Sequence, residues 1–310
     1  MSQIKLSPRT IPAQPWAPEP IGVWAERFIT DRRAANVTSG TIRYYSQKLR
    51  VFLQFCDGQA VDTVEQLTPD ILRAFMQWLE ETNHNPGGRH SFYRTVRVFL
   101  RWVWDELDAT SPNPIKKVKA PKVGIEPIEP VSPDTVKAML NTCNASTFTG
   151  ARDKALLLFL LDTGARMSET LAVDWQEVDA GGGVLIRQGK GRKPRTVYIG
   201  KTTRRALRAY LRYRGVEPGA LWVTKSGERM TKDGLRSILR RRADYAGVEA
   251  PSPPDFRRAF ALEMLRAGVD VLSLQRLMGH SSLAVLQRYV KQTDLDGQRA
   301  HAKGSPVESL

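Results

Sequence analysis

From residue 21 onward, apolar residues recur every three or four positions, the spacing that lays one stripe along an α-helix. Four such segments come first, at about 21–36, 39–57, 69–83 and 88–108. The second opens at Thr38 or Ser39, either of which can cap free amides, and repeats Ile42, Tyr45, Leu49, Phe52 and Phe55. The third follows Thr68-Pro69-Asp70, a cap with a first-turn proline whose missing N–H costs nothing there. The fourth sets Phe92, Val96, Phe99, Leu100, Val103 and Leu107 on its apolar side. Together, residues 21–109 are predicted to fold as an all-α unit. Residues 1–20, polar and rich in proline, read as an extended or disordered arm.

Between 110 and 131 the period disappears. The stretch SPNPIKKVKAPKVGIEPIEPVS holds five prolines and a lysine cluster, which predicts an extended basic linker and a domain boundary. Helical spacing resumes after Ser132-Pro133-Asp134, near 133–143, 150–162 and 166–173. It then gives way to two β-rich runs, Val184-Leu185-Ile186 and Thr196-Val197-Tyr198-Ile199, joined through Gly189-Lys190-Gly191-Arg192-Lys193. Five further helices are predicted near 201–213, 231–246, 255–267, 270–278 and 282–291, followed by a polar tail. The fold class is mainly α with a small β-sheet: an all-α N-terminal domain, then an α+β domain over 132–310.

Composition sharpens this picture at one point. The chain carries a formal charge of +15, which makes its surface a counterion for polyanions, nucleic acid first among them. A membrane surface fits less well, because no long apolar run exists and the basic helices have core-forming faces. Cys56 and Cys143 lie far apart, and four histidines are scattered, so neither a structural zinc site nor a disulfide framework is indicated. With no apolar signal-peptide core near the start, the reading is a cytoplasmic protein.

Arginines also recur at helical spacing. Arg94, Arg97 and Arg101 share one face of the fourth segment; Arg204, Arg208 and Arg212 share another, and Arg236 and Arg240 a third. With Lys116, Lys117, Lys119 and Lys122 of the linker, they suit a clamp around duplex DNA.

The candidate chemistry lies in the second half. Arg166 follows a Thr-Gly break at the start of a helix, with Glu169 one turn on, where it can pair with the guanidinium. Arg257 follows Pro253-Pro254-Asp255, and His280 precedes Tyr289 by nine positions. Two arginines can hold a phosphate and take up its growing charge, a histidine can donate to it, and a phenol can attack it. A free phenol has a pKa near 10 and needs such a positive pocket to act at neutral pH.

These boxes resemble the tyrosine site-specific recombinase, or phage-integrase, family in its Xer-type layout. TGARMSE is similar to the first-arginine box, GKGRKPR to the lysine hairpin, PDFRRAFA to the second-arginine box and LMGHSSLAVLQRYV to the His-to-Tyr box. The resemblance implies a core-binding domain, a linker and a tyrosine-recombinase catalytic domain. It implies a catalytic set of Arg166, Lys190, Arg257, His280 and Tyr289, supported by Glu169 and by Arg258. Lys190 is the implied proton donor to the leaving 5′ oxygen, with Lys193 the competing candidate; Arg192, Lys193 and Arg195 are expected to contact backbone phosphate. Attack by Tyr289 would leave a 3′-phosphotyrosyl link that a partner strand's 5′ hydroxyl then displaces. One ester replaces another, so neither ATP nor a metal cofactor is required. The expected partner is a double-stranded recombination site, held by a homo-tetramer across two sites; whether a second recombinase or accessory protein joins is left open.

One position departs from the family. Pro254 stands three residues before Arg257, where a histidine is usual, and proline offers neither a side-chain donor nor an N–H. Two other readings follow: a DNA-binding relative without catalysis, and a nicking–closing enzyme similar to type IB topoisomerases.

Overall fold

The computed structural model describes residues 18–124, 130–187 and 194–279. Lys190, Arg192, Lys193, His280 and Tyr289 lie outside these residues, as do most of the N-terminal arm and the helix expected at 282–291. The chain divides into two compact units, Met1–Glu126 and Pro127–Leu310.

The first unit is built from α1 (Ile21–Ala34), α2 (Ser39–Gly58), α3 (Pro69–Glu81) and α4 (Pro86–Glu106). Side-chain caps set three of the starts: Thr38 accepts from Thr41 N–H, Thr68 from Ile71 N–H and Asn85 from Gly88 N–H. The Asn85 cap, with Pro86 in the first turn, brings α4 in two residues earlier than apolar spacing suggests. Phe28, Phe52, Phe75 and Phe99 are fully buried and meet largely edge to face, the geometry aromatic pairs prefer.

The start of the proline-rich stretch differs from the extended linker expected of it. Pro114–Lys117 forms a 3₁₀ turn, and Ile115 and Val118 are buried. Asn113 fastens it, donating to the carbonyl of Leu100 (2.8 Å) and accepting from Ile115 N–H (3.1 Å), while the Tyr93 hydroxyl donates to Val118 O (3.0 Å). Burying each apolar side chain is worth roughly 1.5–3 kcal/mol, enough to hold a short proline-rich segment down. Lys116, Lys117 and Lys119 stay exposed on its outer side.

The second unit contains α5 (Pro133–Asn141), α6 (Phe148–Thr163), α7 (Met167–Ala172), β1 (Gly183–Ile186), β2 (Arg195–Tyr198), α8 (Lys201–Arg214), α9 (Lys232–Ala246), α10 (Pro253–Arg266) and α11 (Val271–Met278). The strands pair antiparallel, with Gly183 opposite Tyr198 and Ile186 opposite Arg195. Helix α6 is apolar on nearly every side and runs through the core against α8 and α10. Near its start Asp153, fully buried, accepts from Arg152 and Arg242, and also from Arg241 at 2.9 Å.

Candidate active site

Helix α6 stops at Gly164, whose φ of 55° is left-handed backbone that glycine adopts without strain. A Cβ at this position would lie 2.4 Å from the Phe260 ring, so the close approach of α10 also demands glycine. The turn delivers Arg166 to the N-cap of α7. Glu169 accepts from the backbone N–H of Arg166 (2.9 Å) and from its Nη1 (2.9 Å), so the pair expected from spacing is present. That backbone bond engages the amide of Arg166 itself, at the N-cap.

Arg257 lies one turn inside α10 rather than at its opening, because Ser252 caps the helix and Pro253 begins it. Its buried guanidinium donates to the carbonyls of Gly164 (2.5 Å) and Met278 (2.6 Å). The second arginine is thereby fixed to the backbone two residues before the first, and to the end of α11 where the chain enters Gly279 and His280.

Arg195, expected among the residues that touch DNA phosphate, is engaged by partners within the protein. Its side chain is 9% exposed and bridges to Glu169 (Nη2 to Oε2, 2.8 Å; Nη1 to Oε1, 3.2 Å) and to the carbonyl of Leu277 (2.8 Å). Strand alternation carries the signal for this: residues 195, 197 and 199 share a face, and Val197 and Ile199 are core residues. Burial pushes the Glu169 carboxyl up, but hydrogen bonds from Arg195 and Arg166, with the charge of Arg195, outweigh it and hold the group down at about 2.

Around Pro254 the structure answers where the neighbouring carboxylate goes. Asp255 accepts from the Ser252 N–H (2.6 Å) and hydroxyl (2.7 Å) and pairs with Arg258. It is the first-turn partner of the N-cap residue Ser252, and Arg258 is its ion-pair partner. Pro254 itself is exposed in the first turn of α10.

The remaining basic residues sort by exposure. Arg94, Arg97, Arg101, Arg208, Arg212 and Arg240 are exposed. Arg236 is exposed but pairs with Asp233 (2.8 Å), and Arg204 is half-buried, donating to Gly181 O (3.2 Å). Among the described residues no group of His, Cys, Asp or Glu is arranged to hold a metal, and no helix is long and apolar enough to cross a membrane.

A helical N-terminal unit is thus followed by a mainly helical unit in which Arg257 ties the turn before Arg166 to the end of α11. Comparison with known proteins gives the family. Residues 130–295 match the phage integrase family, and residues 24–108 match the N-terminal SAM-like domain of phage integrases. The chain belongs to the phage integrase family: it is a tyrosine site-specific recombinase of Xer-like kind, an enzyme that cleaves and rejoins DNA. It is 30% identical to tyrosine recombinase XerC of Leptospira interrogans over 297 residues, 93% of this chain and 94% of that protein. In fold it is similar to the XerH recombinase solved in a post-cleavage complex with a palindromic difH substrate, at a TM-score of 0.71 and 19% identity, covering 92% of this chain and 84% of that one. It is also similar to a lambda integrase solved as a tetramer on a Holliday junction, at 0.73 and 14%, covering 88% and 77%.

Proposed function

We propose that Tyr289 is the nucleophile of this recombinase and that Arg166 and Arg257 clamp the scissile phosphate. The observation carrying this reading is the shared framework of the two arginines: Arg257 donates to the Gly164 carbonyl beside Arg166 and to the Met278 carbonyl beside the His280 segment. In the proposed reaction the Tyr289 phenol gives its proton to water, its oxygen attacks phosphorus and the bond to the 5′ oxygen breaks. Lys190 protonates that oxygen, while His280 donates to a non-bridging one. The 3′-phosphotyrosyl ester then yields to a partner strand's 5′ hydroxyl, which returns the phenol. Bond energy is conserved, so no ATP or metal enters.

The proposed assembly is a homo-tetramer across two double-stranded recombination sites, working where the DNA is, in the cytoplasm. The polar tail after Tyr289 is the proposed docking segment between protomers. The basic linker from 110 to 131 is proposed to join the two DNA-gripping units.

A nicked suicide substrate tests the reaction. Wild-type protein is expected to form a covalent adduct that Tyr289→Phe abolishes. DNA binding with no adduct at any protein concentration would favour the non-catalytic reading that Pro254 raises. Junctions formed from two sites, rather than relaxation of a supercoiled circle, separate strand exchange from nicking and closing.

A further inference from the structure

Strand β2 begins two positions after Lys193, and its first residue, Arg195, reaches three parts of the site at once. Arg195 serves both carboxylate oxygens of Glu169, whose other bonds hold the N–H and guanidinium of Arg166. Its Nε donates to the Leu277 carbonyl in the last turn of α11, one of the carbonyls a helix end leaves without an internal partner. The next carbonyl, Met278 O, is taken by Arg257. Gly279 then turns the chain in left-handed backbone (φ 62°), and a Cβ there would lie 3.0 Å from Arg195 Nη1, so the guanidinium lies directly under the residue preceding His280.

We propose that Arg195 is a positioning residue for strand cleavage: it braces Arg166 through Glu169 and the approach to His280 through Leu277, and does not grip DNA. This rests on the catalytic roles proposed above. A planar fork with five donors suits the task, since two bonds go to one carboxylate while a third reaches a carbonyl on another element. Lysine has the charge but not the fork. Among the described residues, the charged groups facing Glu169 are Arg166 from the start of α7 and Arg195 from β2.

The test uses the full-length protein, with Arg195→Gln and Arg195→Lys, and begins without DNA. Carboxyl ¹³C titration, with the Glu169 signal assigned by its loss in Glu169→Gln, is expected to place Glu169 near 2 in wild type. In Arg195→Gln the signal should titrate higher, because burial is then less opposed; equal values would overturn the brace. On a suicide substrate, single-turnover cleavage by Arg195→Gln should fall about 100-fold, the cost of a small misplacement of catalytic groups. It should fall further as pH drops from 8 to 5. Arg195→Lys should follow the wild-type pH profile and still cleave slowly. Affinity for DNA should change less than about threefold with an unchanged salt slope; a slope smaller by about one would make Arg195 a phosphate contact and overturn the proposal. So would wild-type cleavage rates in both variants. If wild type itself forms no adduct, the catalytic reading fails, and the titration still decides whether Arg195 braces Glu169.

Discussion

Gly164 shows how much of this site depends on a missing side chain. It combines a positive φ with a Phe260 ring 2.4 Å from where a Cβ would stand. Gly247 also has a positive φ, 64°, but nothing lies within 4 Å of its Cβ position. Gly247→Ala therefore carries the backbone strain alone, about 1 kcal/mol. Gly164→Ala adds displacement of a packed ring, for a total of about 2–4 kcal/mol. It should also slow cleavage, since its carbonyl holds Arg257; urea midpoints and single-turnover rates measure the two effects. Glu169 gives a pH signature at the same scale. Its folded value of about 2 lies below the ordinary 4.5, so it binds protons more weakly folded than unfolded. Its stabilisation is thus complete above the unfolded pKa and is lost as pH falls through 4.5 toward 2. The difference is on the order of 3 kcal/mol. Denaturation of wild type and Glu169→Gln between pH 7 and pH 3 should show a gap that narrows on acidification; a constant gap would contradict the pairing.

Among elements, α6 sets the geometry, and a single acid pins it. Asp153 is fully buried and faces Arg152, Arg241 and Arg242, which tie the start of α6 to the end of α9. Removing one partner of a buried ion cluster leaves charge uncompensated, so Asp153→Asn should cost about 3–5 kcal/mol, read as a lowered urea midpoint. This cluster was not legible beforehand. An Arg-Asp pair inside an otherwise apolar helix looks like a solvent-facing interruption, and the residues that neutralise it lie about ninety positions away in α9. The helices themselves were legible, because their period and caps are local. Starts moved by about two residues where Asn85, Thr147 and Ser252 decided them. The 3₁₀ turn at Pro114–Lys117 was hidden because its anchor is the Leu100 carbonyl, a tertiary partner no spacing reveals. Arg195 sits between these cases. Its basic neighbours suggested DNA, while strand alternation already placed it with Val197 and Ile199.

For the whole molecule, the charge of +15 matters only where it is exposed and unspent. Many arginines are already committed: Arg195, Arg242 and Arg257 are internal, and Arg236 and Arg258 are ion-paired. The stripe on α4 is different. Arg94, Arg97 and Arg101 are exposed on the side opposite Phe92, Val96, Phe99 and Val103, so the same helix that builds the core of the first unit presents three cations outward. Each phosphate neutralised releases counterions, and each contact contributes about 0.9 to the slope of log affinity against log salt. Replacing all three by glutamine, a good helix former, should lower that slope by about 2 to 3 and weaken binding across unrelated sequences alike. Stability should change little, since exposed substitutions are usually worth within about 0.5 kcal/mol each. Fluorescence anisotropy on a recombination site and on random duplex, each titrated with KCl, measures both quantities. An unchanged slope would place the DNA on other surfaces, and a loss confined to the cognate site would make these arginines readers of sequence rather than of charge.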